Sequence, residues 1–276
     1  MQIVADEAFR LAEPRLSHAD RAVLLKNEEL RNRHQGRRAF IIANGASIRH
    51  QNLSPLADEI TIVMSGFWKH PVVAKWQPSY YCFSDPVFFD GSQPMSQFFE
   101  SLREHIHSTS FIVPLSGRDT IEREALLPAQ QPVYYVDYHG RLLGSNEKDG
   151  IDFTCRLPWF YTTAQLALML AIYLGCSPVY LMGFDHDWLL FREYERHFYE
   201  GKTVSDHPVA HGTYTYALDS EMESMLRLWK GYRYLKVFAE TRSVKILNAT
   251  DGGLLDVFDR VEFTSLFETA NAEVHI

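Results

Sequence analysis

Seven short apolar runs punctuate the chain. They are Arg38 to Ala43 (R-A-F-I-I-A), Glu59 to Met64 (E-I-T-I-V-M), Ser79 to Phe83 (S-Y-Y-C-F), Ser110 to Pro114, Val133 to Val136, Val179 to Met182 and Val244 to Leu247. The apolar residues are near-continuous rather than alternating, which predicts parallel strands buried on both faces. Helical patterns lie between them. Residues 5–35 place Leu11, Leu16, Val23, Leu24, Leu25 and Leu30 among Glu, Arg and Lys, and read as one or two amphipathic helices stopped at Gly36. Phe98 to His107 reads as a helix, Thr162 to Gly175 as a buried helix ended by its glycine, and Leu218 to Glu240 as a long amphipathic one. Alternating strands and helices predict a doubly wound, mostly parallel, Rossmann-like α/β sheet with right-handed crossovers. The expected organisation is an N-terminal helical arm (1–36) and one catalytic domain (37–270). Two loop-rich stretches, near 117–156 and 186–215, read as lid insertions. There is no internal repeat.

Composition narrows the class. The chain has 276 residues, 46% hydrophobic and 22% charged, which excludes a disordered chain. Lys and Arg number 27 against 35 Asp and Glu, a net charge of −8, so a dedicated nucleic-acid binder is not expected. Three cysteines cannot build a disulfide framework, which points to a reducing compartment. The N-terminus lacks an apolar h-region, and the longest apolar stretch, Ala164 to Leu174, is too short to span a bilayer. The expectation is a cytoplasmic protein without a transmembrane segment, compatible with peripheral contact at the inner face of the membrane. Oligomeric state is not legible.

Ligands of open parallel sheets bind beyond the carboxyl ends of the strands. Four such ends carry small or polar residues: Asn44-Gly45-Ala46-Ser47, Ser65-Gly66, Ser84-Asp85 and Gly183-Phe184-Asp185. Small residues admit a ligand close to the backbone, and free N–H groups at a helix start suit a phosphate. Neither a Walker loop nor G-x-G-x-x-G is present, and a tight strand-to-helix turn remains an equal reading of N-G-A-S. Thr162 and Thr163 read as ligand donors or as helix N-caps. Asn248, Thr250, Gly252 and Gly253 follow the last strand, as cleft lining or as a structural turn. Asp185-His186-Asp187 is a D-x-D, either a divalent-metal pair or a cap on a nearby turn. Residues 185–216 concentrate His186, His197, His207 and His211 among tyrosines. One of these is a candidate general base; zinc binding and a plain surface loop are the alternatives.

These motifs carry a resemblance. The order I-I-A-N-G-A-S (41–47), L-G-C-S-P-V-Y-L-M-G-F-D (174–185), H-F-Y-E (197–200) and then His211 resembles bacterial and animal sialyltransferases. Their first motif is a G-N-G-P-S turn that holds the cytidine nucleotide; here Ala43 and Ala46 replace its Gly and Pro. The run from about residue 24 to 268 is also similar to bacterial polysaccharide-cluster proteins. That family groups with hydroxymethylpterin pyrophosphokinases and motility-associated glycosylation factors, and the ending I-L-N-A-T-D-G-G-L-L-D-V-F-D-R-V-E-F (246–263) is typical of it.

The resemblance implies a single-domain GT-A-variant fold and inverting transfer of a nonulosonic acid, of sialic acid or Kdo type. The donor would be a CMP-sugar and the acceptor a surface glycan or lipid-linked molecule. It implies His211 as base, with His197 and Tyr199 of the H-F-Y-E motif beside it. Donor contacts would come from Asn44, Gly45, Ala46, Ser47, Ser65, Asp85, Thr162, Thr163, Gly183 and Asp185. No cofactor is required, and Mg or Mn at Asp185 and Asp187 is the less favoured option. The alternatives are a Mg-dependent diphosphotransferase of the pterin pyrophosphokinase type and a non-catalytic sugar-binding assembly subunit.

Overall fold

The computed structural model describes residues 16–140, 142–143, 150–190, 198 and 218–267. It contains one eight-stranded sheet, all of whose neighbouring strands pair in parallel. The strands are β1 (Ala39–Ile42), β2 (Ile60–Met64), β3 (Tyr80–Cys82), β4 (Ser110–Pro114), β5 (Val133–Val136), β6 (Val179–Met182), β7 (Ile246–Asn248) and β8 (Asp259–Arg260), in the order β5-β4-β3-β2-β1-β6-β7-β8. All seven apolar runs are therefore strands of one doubly wound sheet. β8 is the addition. It is two exposed residues paired with Leu247 and Asn248, too short and polar to leave an apolar run.

Five helices belong to the described residues: α1 (His18–Leu25), α2 (Gln93–His105), α3 (Arg118–Glu124), α4 (Thr163–Tyr173) and α5 (Leu218–Thr241). α2 opens five residues earlier than its apolar pattern, because Pro94 suits a first turn where no N–H partner is needed. α3 is polar apart from Ile121, so its sequence gives little periodicity. Between β1 and β3 the crossovers are 3₁₀ turns rather than α-helices.

Alternate residues of each strand enter opposite faces. Ala39, Ile41, Ile60, Ile62 and Met64 join one core with α4, α5 and Leu30; Phe40, Ile42, Val63, Tyr81 and Phe83 join the other with Phe98 and Phe99 of α2. α4 lies across β1, β2 and β3 and is buried from Ala164 to Tyr173, as its unbroken apolar sequence requires. Its one polar buried side chain, Gln165, donates to Leu228 O and accepts from Tyr161 N–H, so no amide atom is stranded against α5.

The N-terminal arm begins with a capping box, in which Ser17 and Asp20 exchange side-chain and backbone hydrogen bonds. Leu24 and Leu30 are fully buried, and Asn27 donates to the carbonyls of Tyr135 and Phe153. Within 117–156, β5 is one of the sheet's two edge strands, and Phe153 lies in the core. No helix among the described residues is long and apolar enough to cross a membrane.

Candidate active site

Successive strands are added outward on one side of β1 up to β5 and on its other side from β6 to β8, so the topological switch lies between β1 and β6. This is where open α/β sheets form a crevice. The turns after β1 and β6 are Asn44-Gly45-Ala46-Ser47 and Gly183-Phe184-Asp185, which brings two of the sequence-marked strand ends together. Gly45 N–H donates to Gly183 O at 3.0 Å. A Cβ on Gly45 would stand 2.6 Å from Asp185 Cγ, so only glycine permits the approach.

Asp185 is 6% exposed, and Ser47 engages both its oxygens: the N–H donates to Oδ2 at 2.8 Å and the hydroxyl to Oδ1 at 2.5 Å. Burial pushes the Asp185 carboxyl above the ordinary range despite the Ser47 donors, and the neighbouring Asp187 charge adds to that push. The turn after β7 joins the same knot. Leu254 N–H donates to Asp185 O at 2.7 Å, and a Cβ on Gly253 would stand 2.6 Å from that oxygen. Arg260 fixes this turn, donating to Gly252 O at 2.6 Å and Gly253 O at 2.9 Å. Asp185 thus holds three turns in register. Each carboxylate oxygen of Asp185 thus accepts one hydrogen bond from Ser47. No group of three metal-binding side chains occurs among the described residues.

The other marked residues extend the rim toward β3. Asn44 is 8% exposed; its Nδ2 donates to Met64 O at 3.2 Å, while its buried Oδ1 has no hydrogen-bond partner among the described residues. Ser65 adopts a left-handed φ of 48°, held where Tyr81 donates its hydroxyl to Ser65 O at 2.7 Å. Ser84 Oγ meets Thr163 Oγ1 at 2.6 Å, which places the start of α4 at the carboxyl end of β3. Thr162 is the N-cap, accepting from Gln165 N–H. Asp85 caps the next turn, accepting from Val87 N–H at 3.0 Å.

Phe198 meets this rim from the His-rich segment. Its N–H donates to Asn44 O at 3.0 Å, its carbonyl accepts from Arg49 Nε at 2.5 Å, and its ring packs on Phe67 and His70. Phe198 is the second residue of H-F-Y-E. His197, Tyr199, His207 and His211 lie outside the described residues.

Two groupings escaped the sequence reading. His186, at φ 48°, packs among Phe184, Trp188, Trp229 and Tyr232 and hydrogen-bonds the Tyr232 hydroxyl at 2.9 Å. Burial lowers its pKa to about 3, so it stays neutral at physiological pH. The second is Asp137 with His139 and Arg156, just past β5. The rule that selected the other strand ends applies equally to V-D-Y-H-G, had the fifth strand been followed to its end.

No family model matches the chain, and no curated protein matches it either. Among solved structures it is similar to a MAf glycosyltransferase from Magnetospirillum magneticum AMB-1, at 14% identity and a TM-score of 0.49. The match covers 88% of this chain and 38% of that one, so the chain spans about two fifths of the neighbour's length.

Proposed function

We propose that the chain is a glycosyltransferase that moves a nonulosonic acid from a CMP-sugar to a glycan or lipid-linked acceptor with inversion. One observation carries the reading: the H-F-Y-E segment, through Phe198, is hydrogen-bonded to Asn44 of the N-G-A-S turn at the switch point. Phe198 belongs to a motif distant in sequence from N-G-A-S, yet it meets that turn.

In this reading the cytidine nucleotide lies along the rim from Asn44 to Thr163. His211 takes the acceptor hydroxyl proton as that oxygen attacks the anomeric carbon. The bond from that carbon to the phosphate oxygen breaks, and its electron pair leaves with CMP. Donors at the rim stabilise the departing charge. Asp185 and Ser47 shape the site rather than touch the donor, and the reading requires no metal.

Thermal unfolding with CMP, CDP, UDP, GDP or ATP, each with and without Mg²⁺, tests it. Ligand at about 100 times Kd stabilises the fold by ~2.7 kcal/mol. The expected result is a preference for CMP that survives chelation. A preference for ATP that needs Mg²⁺ overturns the reading in favour of a diphosphotransferase.

A further inference from the structure

An anionic nucleotide needs positive charge, yet the chain is acidic and its rim carries Asp85 and Asp185. The strand end beyond β5 gathers a carboxylate, an imidazole and a guanidinium. Asp137 is 3% exposed. Its Oδ1 accepts from His139 Nδ1 at 2.5 Å and from His139 N–H at 3.3 Å, and its Oδ2 accepts from Arg156 Nε at 2.6 Å. Burial works to raise the Asp137 pKa, but the His139 and Arg156 donors outweigh it and hold the carboxyl below its usual range. An ionised carboxylate only accepts hydrogen bonds, so Nδ1 of His139 carries a hydrogen and the ring's orientation is set. The His139 side chain is 54% exposed, which leaves Nε2 the nitrogen open to a ligand.

This segment is tied to the rim already described. Tyr138 donates its hydroxyl to Ser84 O, and Ser84 in turn meets Thr163 at 2.6 Å. The Tyr138 and His139 rings lie parallel, 5.6 Å apart between centroids. One buried anion is thus shared between a guanidinium and an imidazole.

We infer that His139 is a phosphate-binding residue of this cleft: Asp137 accepts at Nδ1 and positions the ring, the phosphate of a nucleoside monophosphate accepts at Nε2, and the ring held between these two anions carries a hydrogen on each nitrogen. The inference rests on the CMP-sugar reading and names the group that meets its phosphate. In transfer, His139 offsets the charge that the phosphate oxygen gains as its bond to the anomeric carbon breaks, while the acceptor proton leaves to the separate base. A charge-assisted donor of this kind contributes more than a neutral one and depends on the phosphate being present.

Calorimetric titration of CMP and of cytidine into the full chain, its His139→Gln variant and its His139→Ala variant tests this. The expected result is a CMP Kd raised about tenfold or more by either substitution, with no matching change for cytidine. Both variants remove a donor from the buried Asp137, so their unfolding temperatures without ligand should fall alike, and titrations are made well below them; the comparison with cytidine separates lost stability from lost phosphate binding. CMP binding that is unaffected by the substitutions, or CMP and cytidine weakened alike, overturns the role of His139 and leaves the CMP reading standing. A wild-type chain that binds neither compound overturns that reading and His139 with it.

Discussion

The His186 ring sits among four aromatic residues with a single hydrogen bond to Tyr232, an environment that excludes charge. Its pKa is about 3, against an ordinary 6.5. As pH falls below about 6.5 the unfolded chain takes up a proton that the folded chain refuses until about 3. Protonation therefore favours unfolding throughout that window. The stability contributed by neutral His186 is fully present above about 6.5 and is lost at up to ~1.4 kcal/mol per pH unit on descent. Urea midpoints measured from pH 7 to pH 4 should fall less steeply in His186→Phe than in the wild type, and equal slopes would refute the assignment. Nothing in the sequence announced this. Asp185-His186-Asp187 looked like chemistry because its carboxylates were visible, whereas the cage comes from Trp229 and Tyr232, more than 40 residues away.

At the scale of elements, the strands were legible and the turns only half so. A parallel strand buried on both faces must be apolar throughout, so seven runs identified seven strands. The same rule located Asn44, Ser84 and Gly183 at strand ends. It could not show which side chains would be spent on one another. Ser47 and Asp185, read as ligand contacts, also bond each other, because the glycines at 45, 183 and 253 let three turns close on one carboxylate. This makes Gly45→Ala a severe change. The added methyl meets the Gly183 carbonyl and the Asp185 side chain, and relieving it separates the turns. The expected cost is about 2 kcal/mol or more, read as a lowered urea midpoint. A midpoint like that of the wild type would show that the turns move apart freely.

Over the whole molecule, the sheet reverses its winding once, and the N-G-A-S and G-F-D turns flank that reversal. Which strands would be neighbours was not readable, since β1 pairs with both β2 and β6 across very different sequence distances. The arm is likewise part of the fold rather than an appendage. Leu30 is fully buried in the core that contains α4, and Asn27 bonds the backbone at Tyr135 and Phe153. Leu30→Ala should therefore cost ~2–5 kcal/mol. Circular dichroism and tryptophan fluorescence should show the same shifted midpoint. A separate early transition confined to one probe would mean that the arm unfolds alone.

The interlocking of three turns on Asp185 also bears on how such a chain can change over generations. A replacement at position 45, 47, 185 or 253 disturbs all three loops at once and calls for compensation in more than one of them. Ser65, His139 and the hydrogen-bonded pair Ser84–Thr163 stand apart from that knot and can be exchanged without disturbing it. The crevice is thus divided into a frozen wall and an adjustable one. Selection for a different sugar or nucleotide should leave its record almost wholly on the adjustable side.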